Sequence, residues 1–159
     1  VEYDPEVNVT IVDLPGQIGM MKKNVEGKEG AERINGYPTN ILDEHNDLPQ
    51  GSWDAIWMSQ FLDCFSEEEI YSILVRAARV MKNDSTLYIM ETFWDRQKYE
   101  PASLCLTMTS VYFTVMANGN SKMYHSDDMI KQIDRAGLRV VDTHDGIGQG
   151  HTILEVKLK

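Results

Sequence analysis

Short β-branched runs alternate with helical stripes along this chain, and the alternation predicts most of its elements. Val7-Asn8-Val9-Thr10-Ile11-Val12-Asp13 has the pattern of a buried strand. Leu14-Pro15-Gly16 breaks it, and Gln17 to Val25 reads as a short helix. A second strand is expected near Arg33 to Tyr37, closed by Pro38. A polar loop from Thr39 to Ser52 leads to a third strand, Trp53 to Ser59. Ser66-Glu67-Glu68-Glu69 has the form of a capping box, in which the serine hydroxyl and the last glutamate satisfy each other's backbone N–H groups. Behind it Ile70, Ile73, Leu74, Ala77, Ala78 and Met81 recur at helical spacing and make one apolar stripe. Asn83-Asp84 is expected to turn the chain into a fourth strand, Thr86 to Glu91.

Ala102 to Ala117 is long, apolar and rich in methionine, a helix that Asn118-Gly119-Asn120 would end. Ser126-Asp127-Asp128 is expected to cap the last helix, which runs to Ala136 and stops at Gly137. Leu138 to Thr143 and His151 to Leu158, with Gly146, Gly148 and Gly150 between them, read as a closing antiparallel pair. The whole implies an α/β fold: a mostly parallel, Rossmann-like sheet with helices on both faces and an antiparallel C-terminal strand pair.

Composition narrows the function. The chain has 159 residues, enough for one domain, and 42% of them are hydrophobic. Asp plus Glu total 25 against 15 Lys plus Arg, a formal charge of -10, which argues against a nucleic-acid partner. No apolar run approaches the ~20 residues of a membrane span, and the polar, acidic Val1 to Pro5 leads to the expectation of no signal peptide. Cys64 and Cys105 stand apart, outside any metal or disulfide spacing, so reduced thiols in a cytoplasmic protein are the simplest reading. His45, His125, His144 and His151 are scattered, and no spacing announces a metal site.

Ligands of open α/β sheets bind beyond the carboxyl ends of the strands, and acids gather there. Asp13 is placed to accept both hydroxyls of a ribose, or else is a turn aspartate before Leu14-Pro15. Asp43 suits an adenine amino group, or is a solvated loop acid beside Glu44 and Asp47. Glu91 is placed to orient a catalytic group, or to pair with a base such as Arg96. Asp63 is relieved of capping by Ser66 and lies in the apolar Phe61-Leu62-Asp63-Cys64-Phe65. Burial there would raise its pKa and suit it to act as a base; the alternative is a local turn hydrogen bond.

Thr10 to Pro15, the Asp43 loop, Asp54-Ala55-Ile56-Trp57-Met58 with Phe61 to Phe65, and Ala136-Gly137-Leu138 occur in an order that resembles one family. The chain is similar to the C-terminal catalytic domain of bacterial class I O-methyltransferases related to plant caffeate and hydroxyindole enzymes. A closing antiparallel pair is a mark of that sheet. The resemblance implies S-adenosylmethionine as cofactor, a small, aromatic acceptor and a homodimer. It also implies that Asp13 binds the ribose, Asp43 reaches the adenine and Phe65 packs near the adenosine, with Leu14 and Ser59 completing the cofactor set. Glu91 would support the catalytic base. Met108, Tyr112 and Met116 would line the acceptor pocket, although core packing explains the same pattern.

The sequence departs from the family in three places. The histidine of the family's Leu-His-Asp-Trp is replaced in Leu62-Asp63-Cys64-Phe65, so either Asp63 takes the proton, or catalysis rests on proximity, or the protein binds without turnover. The flanking second glutamate aligns near Met123. The first strand with its G-x-G-x-G turn, and the N-terminal dimerisation domain, have no counterpart in residues 1–159. The expectation is a partial domain: a fragment, or a chain completed by a partner, that binds cofactor poorly as it stands. Two other readings stay open. One is an NAD-dependent oxidoreductase, which also carries an acid after its second strand; the other is a binding module that keeps the fold without the chemistry.

Overall fold

The computed structural model describes residues 1–117 and 119–159. Asn118, which the pattern assigns to a helix end, lies outside the described residues. The chain divides into two compact units, Val1–Pro49 and Gln50–Lys159.

The first unit is a parallel strand pair with one helix: β1 (Val9–Asp13), α1 (Pro15–Val25) and β2 (Ile34–Pro38). The strands run in register from Val9 opposite Ile34 to Asp13 opposite Pro38. Pro15 opens α1, where its missing N–H costs no intrahelical bond. Ile18 is the buried residue of this helix, and it meets β2 at Gly36. A Cβ on Gly36 would lie 2.6 Å from Ile18 Cγ2 and 2.9 Å from Met21 Cε, so the bare glycine is what lets helix and strand approach. Arg33 ties down the chain start, donating to the carbonyls of Val1, Asp4 and Val7.

The second unit contains β3 (Trp53–Ser59), α2 (Glu67–Val80), β4 (Met81–Glu91), α3 (Glu100–Met116), α4 (Ser126–Arg135), β5 (Leu138–Ile147) and β6 (His151–Leu158). Its sheet order is β3-β4-β6-β5. β3 and β4 are parallel, whereas β6 runs antiparallel to both of its neighbours. The last strand is therefore reversed and inserted between β4 and β5. Met58, Leu87, Ile89, Leu154 and Val156 form the buried face of the sheet, together with Ile70, Ile73, Leu74 and Ala77 of α2 and Met129 and Ile133 of α4. The opposite face carries the half-buried Tyr88 and Glu155 and the exposed Trp57.

The capping box forms as the sequence predicts: Glu69 N donates to Ser66 Oγ at 3.5 Å, and Ser66 N donates to Glu69 Oε2 at 2.8 Å. Two expectations need correction. Asn83-Asp84 is not a turn, because β4 already begins at Met81. Trp53 pairs with Met81 and Ala55 with Thr86, so the turn-forming residues make a bulge inside the strand. Ser85 stitches it, donating to Trp53 O at 2.5 Å and accepting from Lys82 N at 2.8 Å. Ser126 does not cap α4 either: the cap is His125, whose Nδ1 accepts from Asp127 N at 3.1 Å. Ser126 is drawn to Asp95 instead, through its N–H at 2.7 Å and its hydroxyl at 2.5 Å. The helix α3 does not pack into the core. None of its residues is buried, and the hydroxyls of Thr107, Thr109 and Ser110 bond back to carbonyls of the preceding turn. No helix among the described residues is long and apolar enough to cross a membrane.

Candidate active site

In the first unit Asp13 stands at the carboxyl end of β1, and Asp43 lies in the loop after β2. Asp13 ends β1, and its carbonyl accepts from Thr39 N at 2.8 Å as the chain leaves β2. Its Oδ1 accepts from Leu14 N at 2.7 Å, which fixes the side chain at the mouth of the turn. Leu14 is half exposed, and its carbonyl receives Ile18 N, the first turn of α1. Asp43 sits in an exposed turn where its N–H donates to Asn40 O at 3.1 Å and its Oδ1 accepts from His45 N at 3.0 Å.

In the second unit the candidate residues converge on the turn after β3. Ser59 is the last residue of that strand. Gln60 adopts a left-handed φ of 47°, uncommon without glycine, and its N–H donates to Met90 O at 2.9 Å. That geometry aims the next two N–H groups at the end of β4. Glu91, 2% exposed, receives both on Oε1: Phe61 N at 2.9 Å and Leu62 N at 2.8 Å. Gln60 Nε2 lies 3.4 Å from Oε2. Burial, and then the nearby charge of Asp63, push the Glu91 carboxyl up to about 7 against the partial opposition of the backbone donors. Arg96 is not its partner; it pairs with Asp145 at 3.0 Å.

Asp63 lies in the single 3-10 turn Leu62–Cys64 that follows. It is half-buried, and burial holds its carboxyl above the ordinary range, while hydrogen bonds from the Cys64 thiol and a backbone N–H pull the other way. Burial and then the Asp63 charge push the Cys64 thiol up to about 11, which leaves it protonated and unsuited to act as a nucleophile.

The segment 121–124 lies along this turn. Lys122 N donates to Asp63 O at 3.0 Å, and the Tyr124 hydroxyl donates to Phe65 O at 2.6 Å. Phe65 stacks edge-on against Phe61, with ring centroids 4.9 Å apart. Met123 meets Thr92 Oγ1 through its sulfur at 3.3 Å, one residue beyond Glu91. Nothing in the spacing of the sequence announced the Tyr124 or Met123 contacts, because the partners are some thirty to sixty residues apart.

Asp63 and Phe65 thus belong to the turn that Glu91 holds from the end of β4, whereas in the other unit Asp13 ends β1 and Asp43 lies in the loop after β2. Met108, Tyr112 and Met116 are 55%, 61% and 69% exposed on α3, so core packing does not explain them. A cavity of about 870 Å³ lies elsewhere in the second unit, between residues 95–99 and the glycine-rich 146–150 segment, and none of the candidate residues lines it.

The fold is shared with solved O-methyltransferases. The mitomycin 7-O-methyltransferase MmcR matches 99% of this chain over 44% of its own, at 19% identity and a TM-score of 0.83. An O-methyltransferase family 2 protein from Planctomyces limnophilus DSM 3776, solved with apigenin, matches 99% of this chain over 44% of its own, at 14% identity and a TM-score of 0.81. NcsB1, an O-methyltransferase from neocarzinostatin biosynthesis solved with S-adenosyl-L-homocysteine and 1,4-dihydroxy-2-naphthoic acid, matches 96% over 42%, at 16% identity and a TM-score of 0.79. The chain therefore has the mixed α/β methyltransferase fold and spans less than half the length of these solved chains. No protein-family model and no curated protein sequence matches it.

Proposed function

We propose that this chain is part of the methyl-donor domain of an S-adenosylmethionine-dependent O-methyltransferase that acts on a small aromatic acceptor. The observation that carries the reading is β6, reversed between β4 and β5. That arrangement separates the sheet from the dinucleotide-binding oxidoreductases that share its acid after an early strand. The likeness to O-methyltransferase structures, one of them holding S-adenosyl-L-homocysteine, agrees with it.

The chain's donor set fits a nucleoside. Asp13 offers an exposed carboxylate at the end of a strand, where two ribose hydroxyls can donate to it, with Leu14 beside it. Asp43, in the loop after β2, offers an acceptor for the adenine amino group. In the second unit, Ser59 ends β3 and Phe65 offers an aromatic ring just beyond the 3-10 turn. When bound, S-adenosylmethionine supplies an electrophilic methyl group on a sulfonium. Asp63 takes the proton from the acceptor hydroxyl, and Glu91 holds the turn that carries Asp63. Met108, Tyr112 and Met116 present apolar surface to the acceptor. Positioning alone supplies ~7–11 kcal/mol in favourable bimolecular cases, and Asp63 adds general-base catalysis to it. The same reading takes the protein to be a cytoplasmic homodimer without nucleic-acid or membrane partners.

The replacement of the family histidine by Asp63 favours a second reading, a domain that binds without turnover. Methyl transfer to a panel of phenols by the protein that carries this chain decides between them. We expect turnover in the parent and at least about a hundredfold loss in Asp63→Ala, in line with the usual contribution of general-base catalysis. An undiminished rate in the variant would remove Asp63 as the base, and a parent inert on every phenol would favour the binding module.

A further inference from the structure

The C-terminal ladder brings together three side chains that the sequence keeps apart. We propose that Asp142, His144 and Glu155 form a binding site for a divalent transition-metal ion of the zinc class on the outer face of β5 and β6.

Asp142 and Glu155 are directly opposite each other in the antiparallel register, and His144 is two residues further along β5. Glu155 points away from the buried Leu154 and Val156 on its own strand, so the cluster lies on the face opposite the core. His144 Nε2 lies 2.9 Å from Glu155 Oε1 and 3.7 Å from Asp142 Oδ2. One ligand atom from each residue falls within 4.8 Å of the others. A tetrahedral ion with bonds of ~2.0–2.1 Å holds neighbouring ligand atoms about 3.3 Å apart, a spacing that the two observed separations bracket. Small side-chain rotations would admit the ion, and the backbone need not move.

The electrostatics point the same way. Two carboxylates placed directly across a ladder repel and destabilise the pair. The basic residues on the adjoining rungs face elsewhere: Lys157 Nζ donates to Asp84 O and Arg139 Nε to Leu158 O. Among the described residues, the ion-pair partner of both acids is His144. A neutral imidazole leaves the repulsion standing, whereas a cation bound to Nε2 offsets both charges at once. One nitrogen and two oxygen ligands select zinc-like ions over magnesium or calcium. Three protein ligands leave the fourth position to water, and two paired strands make a rigid frame. The site is independent of the methyl-transfer reading.

Calorimetric titration of the full chain with zinc chloride, and separately with magnesium chloride, tests it. The expected result is one saturable zinc site and no magnesium binding. Zinc affinity should fall on the order of tenfold or more in both His144→Gln and Glu155→Gln. It should persist in His125→Ala, whose histidine lies 3.8 Å from Asp95 and 3.7 Å from Asp127. Circular dichroism of each variant establishes that it is folded, and His144→Ala replaces a variant that is not. Absence of saturable zinc binding, equal binding of magnesium, retention of affinity in either ligand variant, or its loss in His125→Ala would each overturn the site.

Discussion

Glu91 is the residue on which the turn beyond β3 depends, and its ionisation leaves a signature on stability. Its ordinary value is 4.5 and in the fold it lies at about 7. Between those values the folded chain holds a proton that the unfolded chain has released. Stability therefore falls as pH rises from about 4.5 to about 7 and levels off above that. The full effect is roughly 3 kcal/mol. Glu91→Gln keeps an acceptor oxygen for Phe61 and Leu62 and removes the ionisation. Urea denaturation at stepped pH should show the slope in the parent and a flatter profile in the variant; identical profiles would rule out Glu91 as the source of the slope. Asp63 is the second-largest cause of the shift. Asp63→Asn should therefore lower the Glu91 titration midpoint, read from its carboxyl resonance by NMR. The sequence made Glu91 visible as a strand-end acid but hid its partners. The two donors are aimed by a left-handed Gln60, and glutamine does not announce that conformation as glycine or asparagine would.

Among the elements, α2 was the most legible, because Ser66 and Glu69 satisfy each other's backbone groups locally and the stripe behind them has helical period. Ser66→Ala should cost ~1 kcal/mol, seen as a lower urea midpoint with an unchanged m-value. Gly36→Ala tests the packing of α1 on β2. The β-branched Ile18 has little freedom to withdraw from a new methyl group at 2.6 Å, so a loss of ~1–3 kcal/mol is expected. An unaffected midpoint would mean that helix and strand can separate without loss. Elements set by distant contacts were harder to read. The cap of α4 moved from Ser126 to His125 because Asp95, 31 residues earlier, takes the serine. The turn-forming Asn83 and Asp84 were absorbed into a bulge because Trp53 pairs with Met81 and Ala55 with Thr86. For α3, apolar composition suited a core helix and a ligand-lining helix equally, and its residues are not buried.

For the chain taken entire, the closing antiparallel pair was legible from two alternating runs around three glycines. The insertion of β6 between β4 and β5 is a matter of long-range pairing that local pattern does not encode. The division at Pro49 was equally silent, since the loop around it is polar without being linker-like. The second unit has its own core, built from α2, α4 and four strands. Residues 50–159 should therefore unfold cooperatively when expressed alone, and a broad, non-cooperative thermal transition would count against an independent core. Everything proposed for function requires that the protein bind a methyl donor through Asp13. Isothermal titration of the protein that carries this chain, with S-adenosylhomocysteine and with NADH, reads that binding without any assumption about turnover. Saturable binding of S-adenosylhomocysteine is expected, weakened at least about tenfold in Asp13→Ala by the loss of hydrogen bonds to a charged acceptor, with no binding of NADH. Binding of NADH with no response to S-adenosylhomocysteine would overturn the methyl-donor assignment.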